Sequence, residues 1–426
     1  MERSSLTYQT YLQILREELV PAMGCTEPIA VAYCAAKARQ VLGKLPDRVV
    51  VEASGNIIKN VKSVIVPNTG GRRGLAAAAA IGIVAGNADK ELEVISEVAP
   101  GQQALLGEFL DRTPITVRPA PSDLVLDIRI LLRAGADEAS VRIINHHTGL
   151  ASIVHNGKVL LEQVPVNPAE NSTLDYGLLR VADIYDFATT MDISDVKEIF
   201  DRQMAYNIAI SEEGLKNDYG ANIGKVLLRT YGDNVHIRAR AKAAAGSDAR
   251  MSGCDMPVII NSGSGNQGIT VCVPVVEYAK EWNCPDEKLY RALAISNLCA
   301  LHMKNGIGRL SAYCGAVSAA AAAGAAISYL GGGDLDDVSH TLVNALAIAS
   351  GMVCDGAKAS CAAKIASAVE AGILGMEMFR QGSQFIGGDG IVSKGVENTI
   401  ANVSHLASEG MRKTDSEIIK IMLSRL

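Results

Sequence analysis

Cysteine is the residue best placed to do chemistry in this chain, and its nine copies are unevenly spread. Cys25 and Cys34 stand near the start, none falls between residues 35 and 253, and seven lie from Cys254 to Cys361. Three of these have a suggestive context: Cys314 in RLSAYCGAV, then Cys354 and Cys361 in GMVCDGAKASCAAKI. Cys354 and Cys361 flank Asp355 and Gly356, which read as a helix start. Thiols near a helix N-terminus meet a dipole that favours thiolate and N–H groups that bond to sulfur. Cys314 heads an alanine-rich helix and comes within reach if that helix packs antiparallel to the next. Zinc usually shows C-x2-4-C pairs with a fourth protein ligand. Three thiolates among small residues suit a [4Fe-4S] cluster with one iron lacking a protein cysteine. The competing reading is three buried thiols acting as small hydrophobes, and spacing alone does not separate the two.

Cys25, in PAMGCTEPIA, precedes the first turn of a predicted helix, a position that favours thiolate; it is a candidate base, nucleophile or resting ligand. Cys34 reads as packing. In MPVIINSGSGNQGITVCVPVVEYA, Gly263, Gly265 and Gly268 satisfy GxGxxG between a strand and a helix. No second parallel strand with an acidic end follows, so a dinucleotide fold is disfavoured. The SGSGN core is similar to the loop with which one class of pyridoxal-phosphate enzymes holds its cofactor, but neither Lys225 nor Lys242 sits in a Schiff-base setting. Common to all readings is a glycine loop opening a helix, where Ser262, Ser264, Asn266 and Gln267 help free N–H groups bind an anion, a carboxylate as well as a phosphate. Just upstream, GSDARM offers Arg250 as a two-pronged carboxylate ligand, with a surface ion pair to Asp248 as the plain alternative.

These residues need elements to position them. Helical spacing covers residues 8 to 20 and 28 to 42, with Thr26 at the expected N-cap and Pro28 in the first turn. DRVVVEA, TPITVRP, DLVLDIRILLR, ASVRIINHH, LASIVHN and KVLLEQV, between residues 46 and 165, are short, β-branched and bounded by turn residues, hence strands. The alanine-rich stretch 72 to 86 is predicted as a helix against that sheet. VPVNPAENST (164 to 173) reads as a linker or domain edge. From residue 174 onward the spacing is helical nearly throughout, with residues 315 to 330 an interior helix. The expected fold is α+β. N-terminal helices (1–45) pack on the C-terminal domain, a smaller strand-containing α/β domain (46–173) is inserted after them, and a large Ala/Gly-rich helical domain (174–426) carries the cluster and substrate.

With 40 basic against 46 acidic residues the chain has no basic excess for a nucleic acid. Its longest uncharged apolar stretches are too short or too rich in alanine and glycine to cross a membrane. The first twenty residues carry charges within their apolar pattern, so no export leader, a cytoplasmic location and reduced thiols are expected. An assembly of identical chains is compatible with the sequence and not specified by it. HExxH, GxSxG and CxxC are absent, and GANIGK (220 to 225) is one residue short of a P-loop.

GCTEP (24 to 28), VPNTG (66 to 70), AGSDARM (245 to 251), NSGSGNQGI (261 to 269), RLSAYC (309 to 314) and MVCDGAKASCAAKI (352 to 365) together resemble the iron-sulfur L-cysteine desulfidase family, related to the iron-sulfur L-serine dehydratases. The similarity runs from about residue 10 to 424. It implies a pyridoxal-independent β-elimination of L-cysteine to pyruvate, ammonia and sulfide. Cys314, Cys354 and Cys361 hold the [4Fe-4S] cluster and Cys25 approaches it as candidate base. The substrate carboxylate is expected at the Ser262 to Gly268 loop with Arg250, Asn68 and Thr69 nearby. In related serine dehydratases a C-terminal cysteine fills the fourth iron site at rest; Ser424, Arg425 and Leu426 stand at that end here, so that device is not expected. L-serine, a pyridoxal enzyme and a non-catalytic electron carrier stay open as alternatives.

Overall fold

A computed structural model describes residues 1–163, 174–308 and 310–423. The linker reading at 164–173, Arg309 and residues 424–426 lie outside the described residues. The first half begins with α1 (Leu6–Glu18), β1 (Pro21–Met23), α2 (Thr26–Leu42), β2 (Arg48–Ala53), α3 (Gly55–Val61), α4 (Gly74–Ala85) and α5 (Pro100–Arg112). It continues with β3 (Ile115–Pro119), β4 (Asp127–Ala134), β5 (Asp137–Ile144), β6 (Leu150–His155) and β7 (Lys158–Glu162). The sheet order is β3-β2-β4-β5-β6-β7, parallel only between β2 and β3.

Alternation puts one buried row across the sheet: Val51 pairs with Ile130, Ile130 with Val141 and Val141 with Ile153. The helix lying on this row is α2, whose Cys34 Sγ donates to the Val141 carbonyl at 3.3 Å. The predicted helix over 72–86 is present as α4, but it packs chiefly on α2 and meets the sheet mainly at β2 and β3. A Cβ at Gly82 would stand 2.2 Å from the Ala32 carbonyl oxygen, so only glycine allows these two helices to approach so closely.

The second half holds α6 (Val181–Thr190), α7 (Lys197–Lys216), α8 (Ile223–Tyr231), α9 (Val235–Met251), β8 (Pro257–Ile259), α10 (Gly265–Glu281) and α11 (Asp286–Ile307). After them come α12 (Gly315–Leu330), α13 (Leu335–Ala349), α14 (Ser360–Arg380), α15 (Val396–His405) and α16 (Arg412–Leu423). The α+β reading therefore holds. α12 is buried along nearly its whole length among α10, α11, α13 and α14, the interior helix expected from its alanines. α1 docks on this half through Tyr8 and Tyr11, whose rings meet Phe187 edge-on at 5.0 and 5.5 Å. Among the described residues no helix is long and apolar enough to cross a membrane.

Two glycines set the spacing of α12 and α14, the helices that open near Cys314 and Cys361. A Cβ on Gly324 would lie 2.5 Å from the Gly372 carbonyl oxygen, and one on Gly372 would lie 2.4 Å from that of Ala320. Gly324→Ala is therefore expected to force the helices apart at a cost of about 1–3 kcal/mol. Gly351→Ala, in open space, is expected to stay within about 0.5 kcal/mol. Denaturant midpoints of the two variants make the comparison.

Candidate active site

Cys314 is the N-cap residue of α12 and Cys361 lies in the first turn of α14. The segment between them is brought back by a short antiparallel crossing at Tyr313 and Val353. There the Cys314 N–H donates to the Met352 carbonyl at 3.1 Å, and the Cys354 N–H donates to that of Ala312 at 2.6 Å. The three thiols thus converge from segments 40 residues apart in the chain. Burial pushes the Cys314 thiol up to about 12, and negative charge on Cys354 or Cys361 adds to the effect, which places all three in one electrostatic neighbourhood.

The helix expected at Asp355 and Gly356 starts later, at Ser360. Gly356 has φ +93°, and a Cβ there would meet the Lys59 carbonyl oxygen at 2.3 Å, so the chain turns under α3 instead of coiling. Asp355 pins this loop. Burial would raise its carboxyl, but ion pairs with Lys358 and Lys364 outweigh that and hold it at about 2. Lys364 also donates to the Val353 carbonyl at 2.8 Å. The expectation of low thiol pKa near a helix N-terminus is reversed at Cys361, because burial pushes that thiol up.

Cys25, not Thr26, is the N-cap residue of α2. It is brought to the site by a pairing too short to read from sequence: β1 lies antiparallel to β8, with Ala22 opposite Val258. Cys25, Val64 and Met251 form a small buried cluster against which Ala357 and one thiol residue of the trio, Cys361, pack. Its own thiol is not poised as thiolate. Burial pushes it well above the ordinary range and the Glu27 carboxylate adds to this, with Arg250 opposing.

β8 leads directly into the glycine loop. Ser262 and Gly263 adopt positive φ between bonds that tie Asn261 to Ser264, and Thr26 Oγ1 donates to the Gly263 carbonyl at 2.9 Å. Ser264 caps α10, accepting from the Gln267 N–H, while the Ser262 hydroxyl donates to Asn261 Oδ1 at 3.0 Å. Both hydroxyls therefore serve the loop. Gln267 differs: it is buried, its Oε1 has no hydrogen-bond partner among the described residues, and it lies against Gly315 beside Cys314.

Arg250, at the end of α9, is only 2 % exposed. Nη1 donates to Asn266 Oδ1 at 3.1 Å, while Nε has no hydrogen-bond partner and no carboxylate pairs with the guanidinium among the described residues. A buried guanidinium without a carboxylate is costly unless an anion completes it. The plain alternative, a surface ion pair with Asp248, is excluded. Asp248 is itself buried, accepts the Ile223 N–H at 2.7 Å, and burial lifts its carboxyl to about 6.

Asn68 and Thr69 lie on the loop whose Pro67 presses on Gly24, next to Cys25. Their side chains hold that loop in shape: Asn68 Nδ2 donates to the Ile95 carbonyl at 2.9 Å, and Thr69 Oγ1 donates to that of Val66 at 2.7 Å. Lys225 and Lys242, weighed for a Schiff base, are ion-paired with Asp218 and Glu277.

Sequence reasoning assigned no role to Glu27. Its buried carboxylate accepts the Cys25 thiol at 3.0 Å, the Thr26 hydroxyl at 3.2 Å and Asn60 Nδ2 at 3.0 Å. The available signal was one acidic residue opening an otherwise apolar helix.

Among the described residues no three His, Cys, Asp or Glu side chains are grouped to hold a metal ion. The trio is all sulfur, without the carboxylate or imidazole that single-ion sites commonly include. All-thiolate ligation is what an iron-sulfur cluster takes.

The sequence matches a known family. Residues 89–420 match the family model described as serine dehydratase alpha chain, and the chain belongs to that family, the iron-sulfur type of serine dehydratase. It is also similar along its whole length to UPF0597 proteins. One from Desulfitobacterium hafniense (strain Y51) is 56% identical over 425 residues, covering 100% of this chain and 99% of the relative. One from Lachnoclostridium phytofermentans is 51% identical over 417 residues, 98% of this chain and 100% of the relative. One from Treponema denticola is 48% identical over 422 residues, 98% of each.

Proposed function

We propose that the protein catalyses β-elimination of L-cysteine to pyruvate, ammonia and sulfide, with Cys314, Cys354 and Cys361 holding a [4Fe-4S] cluster. The observation that carries this reading is the approach of three thiols to one another, in a fold that also buries Arg250 with its Nε lacking a hydrogen-bond partner among the described residues. When bound, the cluster supplies a Lewis-acidic iron without a protein thiolate, with an affinity for soft sulfur that suits a thiol substrate.

The chain's own residues do the rest. Arg250 and Asn266 hold the substrate carboxylate at the start of α10, where free N–H groups and the helix dipole add to the attraction. Gln267 orients the amino acid from the Gly315 side. Cys25 faces the Cα–H bond, and the buried surroundings exclude water from the developing carbanion. Aminoacrylate leaves and hydrolyses to pyruvate and ammonia without further help.

L-serine is the second reading, favoured by the description of the matching family. Turnover of L-cysteine against L-serine after anaerobic reconstitution separates the two. We expect kcat/KM for cysteine to exceed that for serine by about tenfold or more, the size of a difference of about 1.4 kcal/mol in barrier. A serine preference would reassign the substrate and keep the elimination.

A further inference from the structure

We propose that Glu27 is the terminal proton acceptor of the site, working through the sulfur of Cys25. This rests on the elimination reading above and adds a residue to it.

The observation is a directed hydrogen bond between two buried side chains. The Cys25 S–H donates to Glu27 Oε2 at 3.0 Å, and Asn60 Nδ2 anchors Oε1 at 3.0 Å, so the carboxylate has one place and one orientation. The Thr26 hydroxyl has one proton to share between Oε2 at 3.2 Å and the Gly263 carbonyl at 2.9 Å, and so lies between the pair and the glycine loop. Cys361 in turn packs on the small buried cluster that contains Cys25. The order in space is therefore thiol trio, Cys25, Glu27, Asn60.

The protonation states follow the geometry. In the bond between the two side chains Cys25 Sγ is the donor and Glu27 Oε2 the acceptor, so the free acceptor belongs to Glu27.

The step balances as a relay. The Cα–H bond breaks and its proton goes to Cys25 Sγ as the Sγ–H proton passes to Glu27 Oε2. The electron pair left on Cα forms the Cα=Cβ bond, and the Cβ–S bond breaks with its pair leaving on sulfur as hydrosulfide. Cys25 ends as it began, Glu27 is a carboxylic acid, and its proton passes to hydrosulfide or water before the next turnover.

The test is Glu27→Gln in the full-length holoenzyme, measured with L-cysteine and with its Cα-deuterated form. The glutamine oxygen can still accept from Cys25 but takes no proton. We expect kcat to fall by about 10²–10⁴-fold, the usual worth of a positioned base. KM, iron content and the change in visible absorbance on adding cysteine should stay close to wild type, and the deuterium isotope effect on kcat should rise. Glu27→Asp is expected to recover part of kcat. A Glu27→Gln enzyme with wild-type kcat overturns the relay and leaves the elimination standing. Loss of iron or of the substrate-induced absorbance change, with no rise in isotope effect, shows a purely structural Glu27 and also overturns it. A wild-type protein that releases no pyruvate from cysteine or serine overturns both proposals.

Discussion

Cys354→Ala, purified without oxygen, is expected to lose most of its iron and to turn over cysteine about 10³-fold more slowly or worse, since Lewis-acid stabilisation of the leaving group is worth several kcal/mol. Cys314→Ala and Cys361→Ala should behave alike, because removing any one thiol breaks the same ligand set. Cys272→Ala is the control. That residue is fully buried on α10, so its loss is expected to lower the unfolding midpoint slightly while iron content and turnover stay near wild type. Iron assays on the four proteins check the pattern. Equal iron in Cys354→Ala and Cys272→Ala would detach the trio from the cofactor.

The second large effect is at Arg250, where activity and stability should move in opposite directions. Arg250→Met keeps the length of the side chain and removes a buried charge that has no carboxylate at ion-pair distance among the described residues. Losing one partner of a desolvated charge pair typically costs about 2–5 kcal/mol, so kcat/KM is expected to fall at least about thirtyfold. Burying a charge without an ion-pair partner is costly, so with the guanidinium removed the unfolding midpoint should be equal or higher. Steady-state kinetics and thermal unfolding of one preparation decide the matter. A marked loss of stability would make Arg250 a structural residue bonded to Asn266 and return the carboxylate to another group.

How much of this was legible beforehand depended on whether a signal was local. The strands were readable because Val49, Val51, Ile128, Ile130, Val141 and Ile143 alternate toward one face, and periodicity needs no knowledge of the partner strand. The alanine density of residues 315 to 330 announced a helix packed on all sides for the same reason. The thiol trio and Arg250 were readable as residue types, and the fold brings the trio together and buries the arginine.

What was missed is tertiary. PAM and PVI are three residues each, too short to stand out, yet their pairing as β1 and β8 delivers Cys25 to the glycine loop. Position at a helix N-terminus suggested low thiol pKa values for Cys25 and Cys361. Both are instead raised because the surrounding elements bury them, which no local pattern reports. The start of α14 was placed too early because Asp355 and Gly356 look like a cap, whereas Gly356 serves a close crossing with α3. Glu27 went unassigned since its role depends on where Cys25, Thr26 and Asn60 point. Gln267 was named with the loop, but its placement beside Gly315 required the packing of α10 on α12.

The central claim is that three thiols from two remote segments hold one inorganic cluster, and the most direct measurement is the iron and acid-labile sulfide content of wild-type protein purified without oxygen. The account predicts about four of each per chain, with a visible absorbance that shifts when cysteine is added. A protein free of iron that still releases pyruvate from cysteine would contradict it.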